Sequence, residues 1–241
     1  MTSGSTSAVS PSPLPEGEAK RAYVRSMFDR IAPRYDLVNH VMTFGLDGPW
    51  RRRAIRLLGL APGSVVLDLA CGPGELLELL HAGGYRGIGI DLSAGMLAAA
   101  RSRPILVQGD AARLPVADAS VDGIVSGFAM RNFASLADVF AEAARAVRPD
   151  GRVAFLDVDE PANEVLRAGH RLYFRKVVPL IGAALSDRPA YRYLPRSAAY
   201  LPARDELLGI VSAAGFVDVR HHRLSGGITQ VVTGTRSGDL S

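Results

Sequence analysis

The stretch Val65–Glu75, VVLDLACGPGE, decides the fold. Its first half is a short apolar run of the kind that forms a buried strand in a parallel sheet. The chain then turns through Cys71-Gly72-Pro73-Gly74 into an amphipathic, leucine-rich segment, which predicts a helix. Glycines at a strand-to-helix turn let a ligand approach the backbone and leave the first N–H groups of the helix free. The stretch therefore predicts an α/β fold with a ligand at this turn.

Two acidic residues indicate the chemistry of that ligand. A second apolar strand, Gly87–Ile90, ends at Asp91, the place from which nucleotide folds bind ribose hydroxyls. Asp68, just before the turn, suits a cation that carries an amino acid. A hydride-transferring dehydrogenase would have a third glycine where this chain has Leu77. The alternatives are that these aspartates cap a helix or tie down loop amides.

The composition fits one α/β domain in a reducing compartment. With 241 residues, 48% of them hydrophobic, the chain can bury one core. No apolar run reaches membrane-spanning length, and none near the start resembles a signal peptide. The single cysteine, Cys71, excludes an internal disulfide framework. We therefore expect a cytoplasmic protein in which Cys71 is a small buried side chain rather than a nucleophile.

The net charge of +4 permits attraction to anionic lipid or nucleic acid but demands neither. We interpret the run Arg51–Arg53, with Arg56, as a solvated helix face, and docking on an anionic membrane surface is the alternative. No basic-aromatic strip is present in the sequence, so no nucleic-acid partner is expected. No metal site is expected, and a homodimer remains open.

Strands alternate with helices, which predicts a parallel, doubly wound sheet with its ligand at the carboxyl ends of the strands. Residues 1–17 are predicted to be a disordered tail, and 18–236 one domain with a helical cap at 20–58, interrupted at Pro33 and Pro49. Residues 160–205 are too long for a connection and predict a lid. The other predicted elements are a helix Met96–Arg101, strands Ile105–Gln108, Asp122–Ser126 and Val153–Leu156, a helix Leu136–Val147 closed by Pro149-Asp150-Gly151, and a closing hairpin of Phe216–Leu224 with Ile228–Thr233.

Five segments together resemble one enzyme family. The glycine turn resembles the D-x-G-x-G-x-G motif of S-adenosylmethionine (SAM) methyltransferases, with Ala70 in place of the first glycine. The other segments are Met27–Asn39, continuing to Gly45 and Trp50-Arg51, Phe128–Asn132 (FAMRN), Tyr191–Ser197 (YRYLPRS) and Gly226–Ile228. From about Ser26 to Gly234 the chain is similar to the ubiquinone/menaquinone biosynthesis C-methyltransferases.

The chain departs from the family pattern at three places, and the third concerns the acceptor more than the reaction. Ala129 stands where the family has glycine, and Gly127 precedes Phe128 where a serine is usual, with Ser126 one place earlier. The usual H-R-G that ends the hairpin is Val232-Thr233-Gly234 here. The exact acceptor therefore stays open.

The resemblance implies a Rossmann-like class I SAM-dependent methyltransferase with a seven-stranded doubly wound sheet and a closing antiparallel hairpin. Its cofactor is SAM, with Asp91 at the ribose and Asp110 and Ala111 beside the adenine. The full set of implied cofactor residues is Asp68, Gly72, Pro73, Gly74, Asp91, Asp110, Ala111, Ser126 and Gly127.

The chemistry of C-methylation points to three further residues. A ring carbon is a poor nucleophile until the neighbouring hydroxyl, with a pKa of roughly 10, loses its proton. A cation or donor aimed at that oxygen helps, and Arg131 and Asn132 are expected to supply it, with a salt bridge and a turn cap as the alternatives. Tyr35 is expected to contact the substrate or the sulfonium, or else to pack in the cap. No residue stands out as the general base.

The resemblance implies C-methylation of a prenylated quinol, with demethylmenaquinol as the leading acceptor and a peripheral membrane contact. One alternative is another small phenolic or polyketide-like acceptor, and a second is a non-catalytic assembly subunit. The apolar residues of the lid either wall a channel for an isoprenoid tail or belong to the core. They are Leu172, Tyr173, Phe174, Val177, Val178, Leu180 and Ile181.

Overall fold

The computed structural model describes residues 15–100, 105–161, 163–173, 193 and 196–238. The strands in these ranges are β1 (Val65–Leu69), β2 (Arg86–Asp91), β3 (Ile105–Gln108), β4 (Val121–Gly127), β5 (Val147–Val158), β6 (Phe216–Leu224) and β7 (Thr229–Arg236). They form a seven-stranded sheet in the order β3-β2-β1-β4-β5-β7-β6. β1 to β5 pair in parallel, whereas β7 is antiparallel to both of its neighbours. The predicted sheet and closing hairpin are confirmed.

Helices cover both faces of this sheet. The helices of the described ranges are α1 (Gly17–Ile31), α2 (Tyr35–Met42), α3 (Asp47–Leu58), α4 (Glu75–Ala82), α5 (Ala94–Ala98), α6 (Leu136–Ala146), α7 (Glu164–Leu172) and α8 (Arg204–Ala213). Successive residues of a strand point to opposite faces. Thus Leu67 packs with Phe140 of α6, and its neighbour Val66 packs with Leu58 of α3 and Leu77 of α4. The doubly wound arrangement is therefore confirmed.

The segment before the sheet packs over the carboxyl ends of the strands. Met27, Ile31 and Val38 form a third apolar cluster with Met96 of α5. Pro33 lies in a 3-10 turn that separates α1 from α2, as predicted. Pro49, in contrast, lies in the first turn of α3, where a missing N–H costs nothing, so it does not interrupt a helix.

Among the element boundaries that differ from the prediction, those of β5 and α5 are the clearest. β5 begins at Val147, so it includes Pro149–Gly151, which were predicted to be a turn. The pairing register shifts there, since Val121 pairs with Val147 but Gly123 pairs with Arg152. The turn residues therefore form an irregularity inside a longer strand. The helix predicted at Met96–Arg101 is α5, Ala94–Ala98, and Arg101 lies outside the described residues.

The prediction that Arg51 lies on a solvated face is wrong. Arg51 is buried, and its guanidinium contacts the carboxylates of Asp47 and Glu75. The other three arginines of α3 are exposed, as expected: Arg52, Arg53 and Arg56. Positions three and four apart share one face of a helix, so Arg51 lies on the apolar side with Ala54 and Ile55. A buried guanidinium cannot dock on a membrane surface.

Two predicted segments extend beyond the described residues. Residues 1–14 of the tail lie outside them, and Gly17 already begins α1. Of the lid, residue 162, residues 174–192 and residues 194–195 lie outside, including the apolar positions from Phe174 to Ile181. In the ranges that the structure covers, no helix is both long enough and apolar enough to cross a bilayer.

Candidate active site

The glycine turn after β1 depends on left-handed backbone conformations. Gly72 and Gly74 have φ values of +55° and +97°, which glycine adopts without steric cost. Ala70 has a φ of +54°, where a Cβ costs about 1–2 kcal/mol. A Cβ on Gly72 would lie 3.9 Å from the ring of Tyr35. The backbone at Gly72 is therefore open to a ligand and lies beside the ring of Tyr35.

Asp91, at the end of β2, holds this turn in place. Its Oδ2 accepts a hydrogen bond from Gly72 N (2.8 Å) and its Oδ1 accepts one from Ser93 N (2.8 Å). Burial raises the pKa of this carboxyl, and the hydrogen bonds from Ser93 and Gly72 oppose the rise. Each carboxylate oxygen has a second lone pair, so Asp91 can still accept hydrogen bonds from a ligand.

Asp68 is the most unusual polar group of the site. Its side chain is buried, and neither of its oxygens makes a hydrogen bond within the described part of the chain. Burial raises its pKa well above the ordinary range, and the charge of Arg51 opposes the rise. Because buried polar groups are almost always paired, two orphaned oxygens mark a place that needs a donor. An ammonium group supplies both the donor and the charge.

A cavity of about 310 Å³, the first cavity, lies beside the glycine turn at the carboxyl ends of the strands. This volume is typical of a small-molecule site. One face of α1 covers it through Arg21, Val24, Arg25 and Phe28. The predicted site residues that line it are Tyr35, Gly72, Asp91, Asp110, Ala111, Gly127 and Asn132.

Polar contacts fasten α1 over the first cavity. Asp29 Oδ1 accepts hydrogen bonds from Ser93 Oγ (2.6 Å) and Gly95 N (3.0 Å), and the Ser93 bond lowers the pKa of Asp29. Arg21 Nε lies 3.0 Å from Asp110 Oδ2, so the predicted adenine neighbour is already paired with an arginine. Sequence reasoning missed these contacts, because Asp29 and Ser93 are 64 positions apart and no periodic pattern connects them.

Four predicted cofactor residues do not line this cavity: Asp68, Pro73, Gly74 and Ser126. Ser126 is fully buried, and its Oγ donates to Leu69 O (2.7 Å), which ties β4 to β1. Pro73 and Gly74 are buried and shape the entry to α4. Pro73, Gly74 and Ser126 therefore shape and support the turn, whereas Asp68 has two side-chain oxygens without a hydrogen-bond partner in the described ranges.

A larger second cavity of about 890 Å³ adjoins the first, and Phe128 lines both. Phe128 has a φ of +61°, which is a strained conformation for a bulky residue. Its N–H donates to Leu156 O (2.7 Å), and its ring lies 6.3 Å from the ring of Trp50 and 5.3 Å from the guanidinium carbon of Arg51. Neighbouring groups thus hold Phe128 at the junction of the two cavities.

Arg131 and Asn132 lie on different sides of Phe128. Arg131 lines the second cavity and contacts the carboxylate of Asp157, and its Nη1 donates to Phe128 O (2.8 Å). Asn132 lines the first cavity, where its Oδ1 has no hydrogen-bond partner among the described residues. Tyr35 also lines the first cavity, and burial raises its pKa. The three predicted catalytic residues therefore flank the same junction.

Residues 16–236 match the model of the ubiE/COQ5 methyltransferase family. The chain belongs to this family. It is 40% identical to the ubiquinone/menaquinone biosynthesis C-methyltransferase UbiE of Syntrophotalea carbinolica, over 88% of this chain and 94% of the relative. It is also 40% identical to the demethylmenaquinone methyltransferase of Roseiflexus sp. (strain RS-1), over 93% of this chain and 98% of the relative. The family resemblance of the sequence is confirmed.

Solved structures with the same fold include two methyltransferases. Phosphoethanolamine N-methyltransferase 2 of Haemonchus contortus, in complex with SAM, superposes with a TM-score of 0.64 at 14% identity, covering 89% of this chain and 60% of that one. A SAM-dependent methyltransferase of Thermotoga maritima gives a TM-score of 0.63 at 20% identity, covering 89% of this chain and all of that one (100%). This ubiE/COQ5 methyltransferase therefore has the same fold as these two methyltransferases.

Proposed function

We propose that this ubiE/COQ5 methyltransferase transfers a methyl group from SAM to a ring carbon of a prenylated quinol, and that the quinol is demethylmenaquinol. The observation that carries the proposal is the pair of adjoining cavities that share Phe128. One holds the cofactor, and the other is large enough for a ring and part of a tail. Relatives in Roseiflexus and Desulfitobacterium hafniense, 40% and 39% identical, are demethylmenaquinone methyltransferases.

The residues of the first cavity and its support fit SAM. The orphaned oxygens of Asp68 suit the ammonium of its amino-acid part, and Asp91 suits its ribose hydroxyls. The open backbone at Gly72 allows close approach, and Asn132 Oδ1 offers an acceptor. When bound, SAM supplies a methyl group on a positively charged sulfur. Tyr35 and Phe128 line the same cavity.

Apolar side chains dominate the part of the second cavity that would hold a tail. They come from α2, α3, α7 and the adjoining loops: Met42, Phe44, Leu46, Trp50, Val165, Leu166 and Tyr173. Tyr173 Oη donates to Met42 O (2.8 Å), which joins the end of α7 to the end of α2. Burial of an isoprenoid chain against these residues stabilises the complex by roughly 0.8 kcal/mol for each methylene.

Arg131 supplies the electrostatic part of the mechanism. The guanidinium is a permanent cation and donor, and the pair with Asp157 fixes its position in the wall of the second cavity. Beside a ring hydroxyl it stabilises the negative charge that makes the adjacent carbon nucleophilic. Most of the remaining rate enhancement comes from holding the reacting groups at near-attack distance across Phe128, which is worth on the order of 7–11 kcal/mol.

The proposal includes a peripheral membrane contact at the mouth of the second cavity. Phe44, Leu46, Val165 and Leu166 line this cavity and are also exposed, Phe44 by 77% and Val165 by 80%. Exposed apolar patches mark interaction sites, and a prenylated quinol resides in the bilayer. This apolar rim, rather than Arg51, is the surface we assign to lipid.

A tail-length series tests the acceptor. With labelled SAM and one quinol head group, kcat/KM should rise with each added isoprene unit until the cavity is filled. Phe44→Asp should weaken binding to vesicles and slow methylation of vesicle-borne quinol, and Val217→Asp, at an exposed apolar position on β6 that does not line the cavity, should do neither. Equal rates with and without a tail would overturn the prenylated acceptor and favour the small phenolic one.

A further inference from the structure

One wall of the second cavity carries polar atoms that the proposed mechanism does not use. β5 and β7 meet there, since Val158 pairs with Thr229 and Asp159 N donates to Ile228 O (2.9 Å). Asp159 and Thr229 both line the cavity. Asp159 Oδ2 and Thr229 Oγ1 are buried atoms without a hydrogen-bond partner in the ranges that the structure describes. Thr229 as a whole is only 1% exposed.

The surroundings of Asp159 explain why Oδ2 is left over. Oδ1 accepts a hydrogen bond from Glu160 N (2.8 Å). His221 Nε2 and Arg223 Nε each lie 3.7 Å from Oδ2, which is too far for a hydrogen bond, and the Arg223 guanidinium is close enough to stabilise the charge of the carboxylate. The carboxylate therefore has a nearby cation in Arg223, but its Oδ2 accepts no hydrogen bond from the described residues.

Gln230 keeps His221 away from that position. The Gln230 side-chain carbonyl is an acceptor only, so His221 Nε2 is the donor in their 2.8 Å contact. Gln230 Nε2 in turn donates to Val158 O (2.8 Å), which fixes the amide. With the Nε2 proton engaged, His221 contributes its ring and not a hydrogen bond to Asp159. The hydrogen bonds between β5 and β7 thus leave Asp159 Oδ2 available as an acceptor.

The second cavity accordingly offers opposite hydrogen-bond chemistry at two places. Arg131 has only donors, so it suits an anionic oxygen. An ionised Asp159 has only acceptors, so it requires a hydroxyl, and Thr229 Oγ1 can donate or accept. A reduced quinol ring has two hydroxyls, whereas the oxidised quinone has only carbonyl oxygens and cannot donate to Asp159.

We infer that Asp159 and Thr229 form a subsite for the second hydroxyl of the acceptor ring, the one remote from Arg131, and that this subsite selects the reduced ring over the quinone. The inference rests on the proposed function and deepens it. It makes Asp159 a specificity-determining residue, since a carboxylate oxygen facing a carbonyl leaves two acceptors without a proton between them.

The test compares a short-tailed prenyl-1,4-naphthalenediol with the same compound methylated on the oxygen remote from the reacting carbon. The wild-type enzyme, kept under dithionite, should prefer the free diol by about 10- to 100-fold in kcat/KM. Asp159→Asn should lower kcat/KM for the diol by a similar factor, lose most of the preference, and bind the quinone more tightly as an inhibitor because an amide can donate. Thr229→Val should show a smaller loss of the same kind.

Asp218→Asn is the matched control, since it makes the same change on the same hairpin at an exposed position whose φ of +49° asparagine tolerates. SAM affinity should be unchanged in all three variants. Suppose that the wild type methylates the diol and that Asp159→Asn keeps both the wild-type kcat/KM and the wild-type preference for the diol. That result would overturn the subsite and leave the proposed function standing. A wild type that binds SAM and methylates no prenylated diol would overturn the proposed function, and the subsite with it.

Discussion

The carboxylate of Asp157 contacts both the side chain and the backbone of Arg131. The guanidinium of Arg131 contacts Oδ1, and the backbone N of the same residue donates to Oδ2 (3.1 Å). Asp157 is fully buried in β5, so this pair joins the turn after β4 to the neighbouring strand. The salt bridge and the substrate role, treated as alternatives from the sequence, are compatible, because Arg131 also lines the second cavity.

Arg131→Ala should therefore lower stability as well as activity. The substitution leaves the buried Asp157 carboxylate without its cationic partner, which costs about 3–5 kcal/mol. The double variant Arg131→Met/Asp157→Leu should regain most of that free energy of unfolding and none of the activity. Urea unfolding and kcat/KM, measured on the same preparations, check both statements. If Arg131→Ala keeps wild-type stability, the pair does not support the turn.

Asp91→Ala should weaken SAM binding by about 10- to 150-fold, the scale of a lost hydrogen bond to a charged group. The loss has two sources, since the carboxylate would contact the ligand and also restrains Gly72 N and Ser93 N. Titration calorimetry measures the affinity. Asp118→Asn, an exposed carboxylate paired with Arg145, serves as the control. Unchanged SAM affinity in Asp91→Ala would contradict the ribose assignment.

Ala70→Gly should stabilise the protein. Removal of the left-handed strain at Ala70 stabilises the folded state by about 1–2 kcal/mol. The greater conformational freedom of glycine in the unfolded chain offsets roughly 0.5–1 kcal/mol of that stabilisation. The expected rise in Tm is a few degrees. Differential scanning calorimetry of the two proteins, without ligand, measures it. A lower Tm would show that Ala70 makes contacts worth more than its strain.

Lys20→Met should raise Tm more at pH 7 than at pH 9.5. Lys20 is buried with its Nζ 3.5 Å from the centre of the Tyr200 ring, and burial lowers its pKa to about 8 against an opposing effect of Glu16. In the pH range from about 8 to 10.5 the unfolded state holds more protons, so wild-type stability rises with pH there. The advantage of methionine should shrink accordingly. A constant difference in Tm across that range would mean that Lys20 titrates normally in the fold.

Local patterns predicted the framework well. The buried strand, the glycines and Asp91 indicate the ligand turn because short-range geometry fixes their relation. Contacts between distant elements could not be read in this way. The hydroxyl of Ser126 bonds to Leu69 O only because β4 pairs with β1 in one particular register. That register is set by the whole sheet and not by either strand.

The sequence held only part of the information needed to predict that Arg51 is buried. Its spacing from Ala54 and Ile55 placed it on the apolar face of α3, and Asp47 lies one turn earlier. The second carboxylate, from Glu75, belongs to another helix. Burial of an arginine becomes favourable only when both partners are counted, and helix packing decides the second.

The two cavities draw on different lengths of the chain. Among the described residues, those that line the first cavity lie between Gly17 and Val139, whereas the second cavity extends to Thr229 and Gln230. β7 is the last strand along the sequence but lies inside the sheet, between β5 and β6. During synthesis the described residues of the first cavity are therefore all present while β5 still has an unpaired edge and the second cavity still lacks one wall. A polypeptide interrupted before residue 229 would carry every described residue of the first cavity and would lack the strand that forms one wall of the acceptor cavity.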